Sequence, residues 1–166
     1  MELFTENMTE KYTKEILNWK YAKPYDFYNN ALSNNAVKEM LENTYYVLVD
    51  QQGILIGFYC VGVAAQVPAG NQCGVYQEEQ IDIGFGMKPG LTGKGNGSAF
   101  LSYILSSIHE GFPGTDIRLS VATFNKRAIH LYGKFGFVKA KEFQTENTNF
   151  ITMVKQRMGL QEKSEV

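Results

Sequence analysis

Apolar positions change their spacing repeatedly along this chain, and each change predicts an element. Residues 1–5 predict a short edge strand. Thr9 offers a helix cap, and Tyr12, Ile16 and Trp19 follow at the i, i+4, i+7 spacing of one buried stripe. Pro24 is expected to end that helix. Tyr21, Tyr25, Phe27 and Tyr28 crowd aromatic groups around Lys23-Pro-Tyr-Asp26. Ser33 or Asn34 opens a second short helix running through Leu41. Tyr45 to Asp50 and Ile54 to Val63 read as a hairpin about Gln51-Gln-Gly53. Ala64 to Tyr76 carries Pro68, Gly70, Asn71 and Gly74 and reads as a loop of about 12 residues, a length usually tied to function or mobility.

The stretch Gln80-Ile-Asp-Ile-Gly-Phe-Gly-Met-Lys-Pro-Gly-Leu-Thr-Gly-Lys-Gly-Asn-Gly-Ser98 organises the rest. A central strand is expected over 78–87, with Ile81, Ile83 and Phe85 alternating against Gln80, Asp82, Gly84 and Gly86. Glycines at 84 and 86 share one face, which marks a bulge or the close approach of another chain or a ligand. After the turn Lys88-Pro89-Gly90, glycines 93, 95 and 97 lead into the helical pattern Phe100, Leu101, Ile104, Leu105, Ile108. Unshielded N–H groups beside a helix N-terminus suit phosphate, and Ser98 can cap or add a donor. The P-loop pattern fails, because Lys88 stands where its first Gly belongs and Gly95 follows Lys94. The dinucleotide pattern fails too, since the run is G-x-G-x-G-S and Asp116 precedes its strand. That first helix after the glycines should end before Gly111-Phe-Pro-Gly114. Downstream, Ile117 to Val121 is a strand, and Asn125 caps a helix with Ala128, Leu131, Tyr132 and Phe135 on one face. Gly136 ends that helix. Phe137 to Phe143 and Phe150 to Val154 close the fold, and the polar tail after Met158 is expected to fray.

Composition narrows the class. A chain of 166 residues suits one domain over 1–166, large enough to bury roughly two thirds of its unfolded surface. Net charge is −1, with arginine only at 118, 127 and 157, so no basic patch recommends a nucleic-acid partner. No apolar run approaches the ~20 residues of a membrane span, and the N-terminus lacks the basic and apolar regions of a signal peptide. Cytoplasmic residence is the expectation. Cys60 reads as a small core residue, Cys73 as a loop thiol with no activating partner, and neither has metal-ligand spacing, so no metal is expected. His109 and His130 read as solvated helix residues.

Two segments carry a resemblance. Asp82-Ile-Gly-Phe-Gly-Met-Lys-Pro-Gly-Leu-Thr-Gly-Lys-Gly-Asn-Gly97 follows an acid-x-Gly strand and then the glycine loop opening a helix. Val121-Ala-Thr-Phe-Asn-Lys-Arg-Ala-Ile-His-Leu-Tyr-Gly-Lys-Phe-Gly-Phe137 matches V-x-x-x-N-x-x-A-x-x-L-Y-x-K-x-G-F at every fixed position. Together they resemble the Gcn5-related N-acetyltransferase (GNAT) family, with one departure: Thr92 replaces the usual Gln or Arg. The likeness covers residues 44–155 well and the first 43 only by arrangement.

That resemblance implies a mixed α/β fold. Its central sheet is mostly antiparallel and splayed at the fourth and fifth strands, with helices on both faces. It implies transfer of an acetyl group from acetyl-coenzyme A, the co-substrate, to a primary amine by direct attack in a ternary complex. Asp82 is then the first candidate general base and Glu79 the second, while Tyr132 donates a proton to the departing thiolate. Phe85, Gly86 and Met87 line the pantetheine arm, with N–H groups of Phe85 and Met87 facing the thioester oxygen. Thr92, Gly93, Lys94, Gly95, Asn96, Gly97 and Ser98 bind the pyrophosphate, and Asn125, Ala128 and Lys134 complete the coenzyme contacts. Tyr25, Asp26 and Tyr28 are candidate contacts to the acceptor, a small-molecule or peptide amine. The closing strands offer an edge through which two copies could pair. Two other readings stay open: a coenzyme A-binding module without catalysis, and an unrelated nucleotide-binding α/β protein.

Overall fold

The computed structural model describes residues 2–157. Three polar side chains start helices. Thr9 Oγ1 accepts from Tyr12 N at 3.2 Å and opens α1, Glu10–Leu17. Ser33 Oγ accepts from Ala36 N at 3.1 Å and opens α2, Asn34–Glu42. Asn125 Oδ1 accepts from Ala128 N at 3.1 Å and opens α5, Lys126–Lys134. Each satisfies one of the donors that a helix start leaves unpaired. The remaining elements are β1 (Phe4–Asn7), β2 (Tyr45–Val49), β3 (Leu55–Val61), α3 (Pro68–Gln72), β4 (Ile81–Met87), α4 (Gly97–Gly111), β5 (Ile117–Ala122), β6 (Val138–Gln144) and β7 (Asn149–Lys155).

The strands follow the order β1-β2-β3-β4-β5-β7-β6. β1 and β2, β2 and β3, β5 and β7, and β6 and β7 run antiparallel, while β4 and β5 run parallel. The β4–β5 register is Ile81↔Ile117 and Asp82↔Arg118. Farther along, the residue after β4 turns to the other neighbour, Lys88 N donating to Ile56 O at 2.8 Å. The expected mixed α/β fold is therefore the one found. No helix among the described residues is long and apolar enough to cross a membrane.

Two compact units make up the chain, residues 2–64 with 85–103 and residues 65–84 with 104–157. In the first, Ile16, Leu17, Trp19, Met40, Val47, Val49 and Leu55 form one buried cluster. Phe58 lies against it, its ring 6.3 Å from Trp19 and 6.0 Å from Tyr45. The same ring fills the place where Gly86 lacks a side chain: a Cβ there would sit 2.6 Å from Phe58 Cε1 and 2.9 Å from Cζ. Held between Trp19 and Tyr45, Phe58 has little room to retreat. Gly86→Ala should cost about 1–3 kcal/mol of stability. Adding Phe58→Leu should restore part of it, read as the shift of the urea midpoint.

In the second unit, α5 closes with a paired cap. Phe137 N donates to Tyr132 O and Gly136 N to Gly133 O, both at 3.1 Å, with Gly136 at φ 92°. The Phe137 ring packs 6.1 Å from Tyr132. This double bond pattern with a left-handed glycine and an apolar contact is the Schellman arrangement. Tyr132, Gly136 and Phe137 thus act together as the terminator of α5. Lys155 Nζ adds a bond to Phe135 O at 2.6 Å.

Several boundaries differ from the sequence reading. α1 stops at Leu17, well before Pro24, with Asn18 as its C-cap and Trp19 N closing a tighter turn onto Ile16 O at 3.0 Å. Trp19 is buried from outside the helix, not on its stripe. The expected long loop holds a 3-10 turn, Gly62–Ala65, and helix α3 with Pro68 in its first turn. Tyr76 fixes that segment: Val67 N donates to its hydroxyl at 2.9 Å, and its ring lies where Gly70 would carry a Cβ. The central strand starts at Ile81 instead of 78, because Arg118 draws the Glu78 carbonyl out of the ladder at 3.2 Å. Ser98 sits inside α4, not before it. The polar tail from Met158 onward lies outside the described residues.

Candidate active site

In the first unit, the exit of β4 is clamped at one peptide. Met87 O accepts from the Tyr21 hydroxyl at 2.7 Å, and the next N–H, Lys88, donates to Ile56 O at 2.8 Å. Burial pushes the Tyr21 phenol up to about 12, so it is a permanent donor at neutral pH. A 3-10 turn, Pro89–Leu91, follows. Thr92 then folds onto it, with its hydroxyl donating to Pro89 O at 2.8 Å. Where the family pattern has a long Gln or Arg, this chain therefore has a short side chain that braces its own loop.

Asn96 closes the loop from the other end. Its side-chain amide donates to Leu91 O at 3.0 Å, and its carbonyl accepts the first helical bond, from Phe100 N at 3.1 Å. Between these ties Gly93 and Gly95 take φ of 70° and 82°, the left-handed region that other residues enter at a cost. A Cβ at Gly95 would meet nothing within 4 Å, so conformation and not space demands the glycine. Gly97 begins α4, whose first turn has no intrahelical partners for its N–H groups and carries the positive end of the dipole. Ser98 and Lys94 are exposed beside it. This loop and helix start can hold a pyrophosphate through backbone donors.

The expected acceptor contacts lie on a separate 3-10 turn, Tyr25–Tyr28. Asp26 is exposed, and Tyr25 and Tyr28 are half-buried. Phe27 and Tyr28 meet edge to face at 5.1 Å.

In the second unit, Asp82 is buried and fully engaged. Arg118 Nε reaches Oδ1 at 2.6 Å, and Arg118 Nη2 and Gln66 Nε2 each reach Oδ2 at 2.8 Å. The rest of the guanidinium is used as well. Nη1 donates to Gln80 Oε1 at 2.9 Å and Glu78 O at 3.2 Å, Nη2 reaches Tyr76 O at 3.4 Å, and the group lies 5.1 Å from the Tyr76 ring centroid. Donation to the Asp82 carboxylate raises the Arg118 guanidinium above its ordinary value. A carboxylate gripped on both oxygens by a cation and an amide ties β4 to β5. Sequence reasoning did not single out Arg118, although an arginine between Ile117 and Leu119 in an apolar strand signals a buried partner.

Glu79 is exposed in the bend before β4, with no hydrogen bond or ion pair among the described residues. Asn125 is committed to capping α5 through its Oδ1. Ala128 and Tyr132 are half-buried on that helix, and Lys134 is exposed in its last turn. His109 and His130 are both exposed, Cys60 is buried and Cys73 is exposed.

Comparison with known proteins adds to this geometry. The model of the Acetyltransferase (GNAT) family matches residues 7–137. No curated protein matches the chain. Among solved structures, a chimera of the spermidine N-acetyltransferase SpeG from Vibrio cholerae and hSSAT aligns with a TM-score of 0.65 at 19% identity, covering 94% of this chain and 96% of that one. A point mutant of the Vibrio cholerae enzyme aligns with a TM-score of 0.68 at 18% identity, covering 93% and 94%. An uncharacterized protein from Bacillus halodurans gives a TM-score of 0.72 at 16% identity, covering 93% and 83%. At such identities the likeness is one of fold.

Proposed function

Because the chain belongs to the acetyltransferase (GNAT) family, we propose that it moves the acetyl group of acetyl-coenzyme A to a primary amine by direct attack within a ternary complex. The observation that carries this reading is the loop Gly93–Gly97, which turns through two left-handed glycines into the start of α4 and is braced by Asn96 and Thr92. In this reading the loop N–H groups and Lys94 hold the coenzyme pyrophosphate. The N–H groups of Phe85 and Met87 face the thioester oxygen, where one well-placed donor contributes about 2.7–4 kcal/mol. Asn125, Ala128 and Lys134 take the remaining coenzyme contacts.

Proton handling is assigned to two residues. An acceptor amine near a lysine's pKa, about 10.4, arrives protonated at pH 7 and must lose that proton. With Asp82 tied to Arg118, Glu79 is the acid left to accept it, through water. Tyr132 donates to the departing sulfur. Since a thiol near pKa 8.5 already leaves readily, Tyr132→Phe should sit at the low end for acid catalysis, about 10²-fold in kcat, with acetyl-coenzyme A binding kept.

Calorimetric titration with acetyl-coenzyme A, against ATP and NAD as controls, tests the reading. Micromolar binding of the thioester alone, followed by thiol release with members of an amine panel that includes spermidine, supports it. No binding overturns it. Binding without transfer to any amine favours the second reading, a coenzyme A-binding module, to which the Asp82–Arg118 tie and the short Thr92 side chain point. Cytoplasmic residence and a single catalytic domain belong to the same proposal.

A further inference from the structure

Residues 20–30 form a closed loop, pinned at its neck and tied to the end of β4. Lys20 Nζ donates to Asn30 O at 3.0 Å, and Tyr21 N donates to Asn29 Oδ1 at 2.7 Å. These two bonds draw the ends of the loop together, as in compact surface loops whose ends are close. The tip is the 3-10 turn Tyr25–Tyr28, joined back by Asn29 N donating to Asp26 O at 3.0 Å. From the neck, the Tyr21 hydroxyl reaches Met87 O at 2.7 Å.

We propose that Tyr21 is a positioning residue that fixes the acceptor-binding loop against the acyl-binding end of β4. This rests on the proposed acetyl transfer, with Met87 at the thioester and with Tyr25, Asp26 and Tyr28, the acceptor contacts that the family resemblance implies, at the amine. The two sides of the tie are not equally dependent on it. Met87 belongs to a strand, and its neighbour Lys88 keeps its own bond to Ile56. The loop lacks a strand ladder, and its neck bond places Tyr21 in one orientation. Removing the hydroxyl should therefore displace the loop and leave β4 in place. The phenol is well suited to this: it is half-buried, donates at every physiological pH, and has an acceptor with no charge to titrate.

Steady-state kinetics on Tyr21→Phe tests this, alongside acetyl-coenzyme A binding and thermal unfolding of the same variant. A lost hydrogen bond of ordinary net strength predicts a rise in the amine KM of roughly five- to tenfold. The acetyl-coenzyme A Kd should stay within about twofold of the parent. Asn29→Ala, which frees the neck, should raise the amine KM in the same direction. Asn29→Asp, which keeps an oxygen acceptor for Tyr21 N, should restore it. An unchanged amine KM in Tyr21→Phe, or equal losses in amine and coenzyme affinity, overturns the positioning role. Failure of the parent protein to bind acetyl-coenzyme A would instead show in the parent alone and remove the underlying reading with the inference.

Discussion

Gly95→Glu should weaken acetyl-coenzyme A binding on the order of 10³-fold while the protein stays folded. Two effects combine, and their sizes differ. Gly95 sits at φ 82°, so any side chain costs about 1–2 kcal/mol of backbone strain. Open space around its Cβ means that no clash adds to this. The carboxylate, however, would share the loop with the pyrophosphate of the proposed complex. Two like charges 4 Å apart at a surface-like dielectric repel by about 4 kcal/mol, or roughly three decades in Kd. Gly95→Ala separates the terms, because it carries the strain without the charge. Calorimetry should find the alanine variant within about tenfold of the parent. Equal losses in both variants would mean that loop shape alone matters. No loss in either would remove the loop from the coenzyme site.

Arg118→Ala should destabilise the chain by about 3–5 kcal/mol, the usual cost of leaving one partner of a buried ion pair alone. Asp82 would remain buried with only Gln66 to answer it, and the Glu78 and Tyr76 carbonyls would lose a donor. The double variant Arg118→Met with Asp82→Leu should recover most of that loss, since apolar replacements of buried pairs are often near neutral. Chemical unfolding of the two singles and the double gives the coupling directly. A stable, active double variant would show that Asp82 serves the β4–β5 pairing. A stable double variant that has lost acetyl transfer would return the carboxylate to the chemistry.

The helix starts were legible because each depends on a few adjacent residues. Thr9, Ser33 and Asn125 cap the helices that follow them, and Gly136 with Phe137 ends α5 through bonds spanning a handful of residues. Breaks read from a single breaker did worse. Pro24 did not decide where α1 ends, because the chain already closes a tight turn from Trp19 N to Ile16 O. Similarly, the segment after β3 looked like loop from its glycines and proline. Pro68 in fact opens a short helix, and Gly70 is small because the Tyr76 ring packs on it.

The glycine loop was visible in residue spacing for the same local reason: left-handed turns and a helix start are written in consecutive residues. The partners of Asp82, Gly86 and Met87 were not. Arg118 lies 36 residues from Asp82, and Tyr21 lies 66 from Met87. By itself the sequence determined the helix starts, most of the strands, the family pattern and the glycine loop, all of which follow from short-range backbone preference. Only the tertiary structure decided that Asp82 is an anchored ion-pair member, that Gly86 makes room for Phe58, and that Tyr21 ties a loop to a strand. Those are encounters between distant segments, fixed by which surfaces are buried together, and no local pattern encodes them.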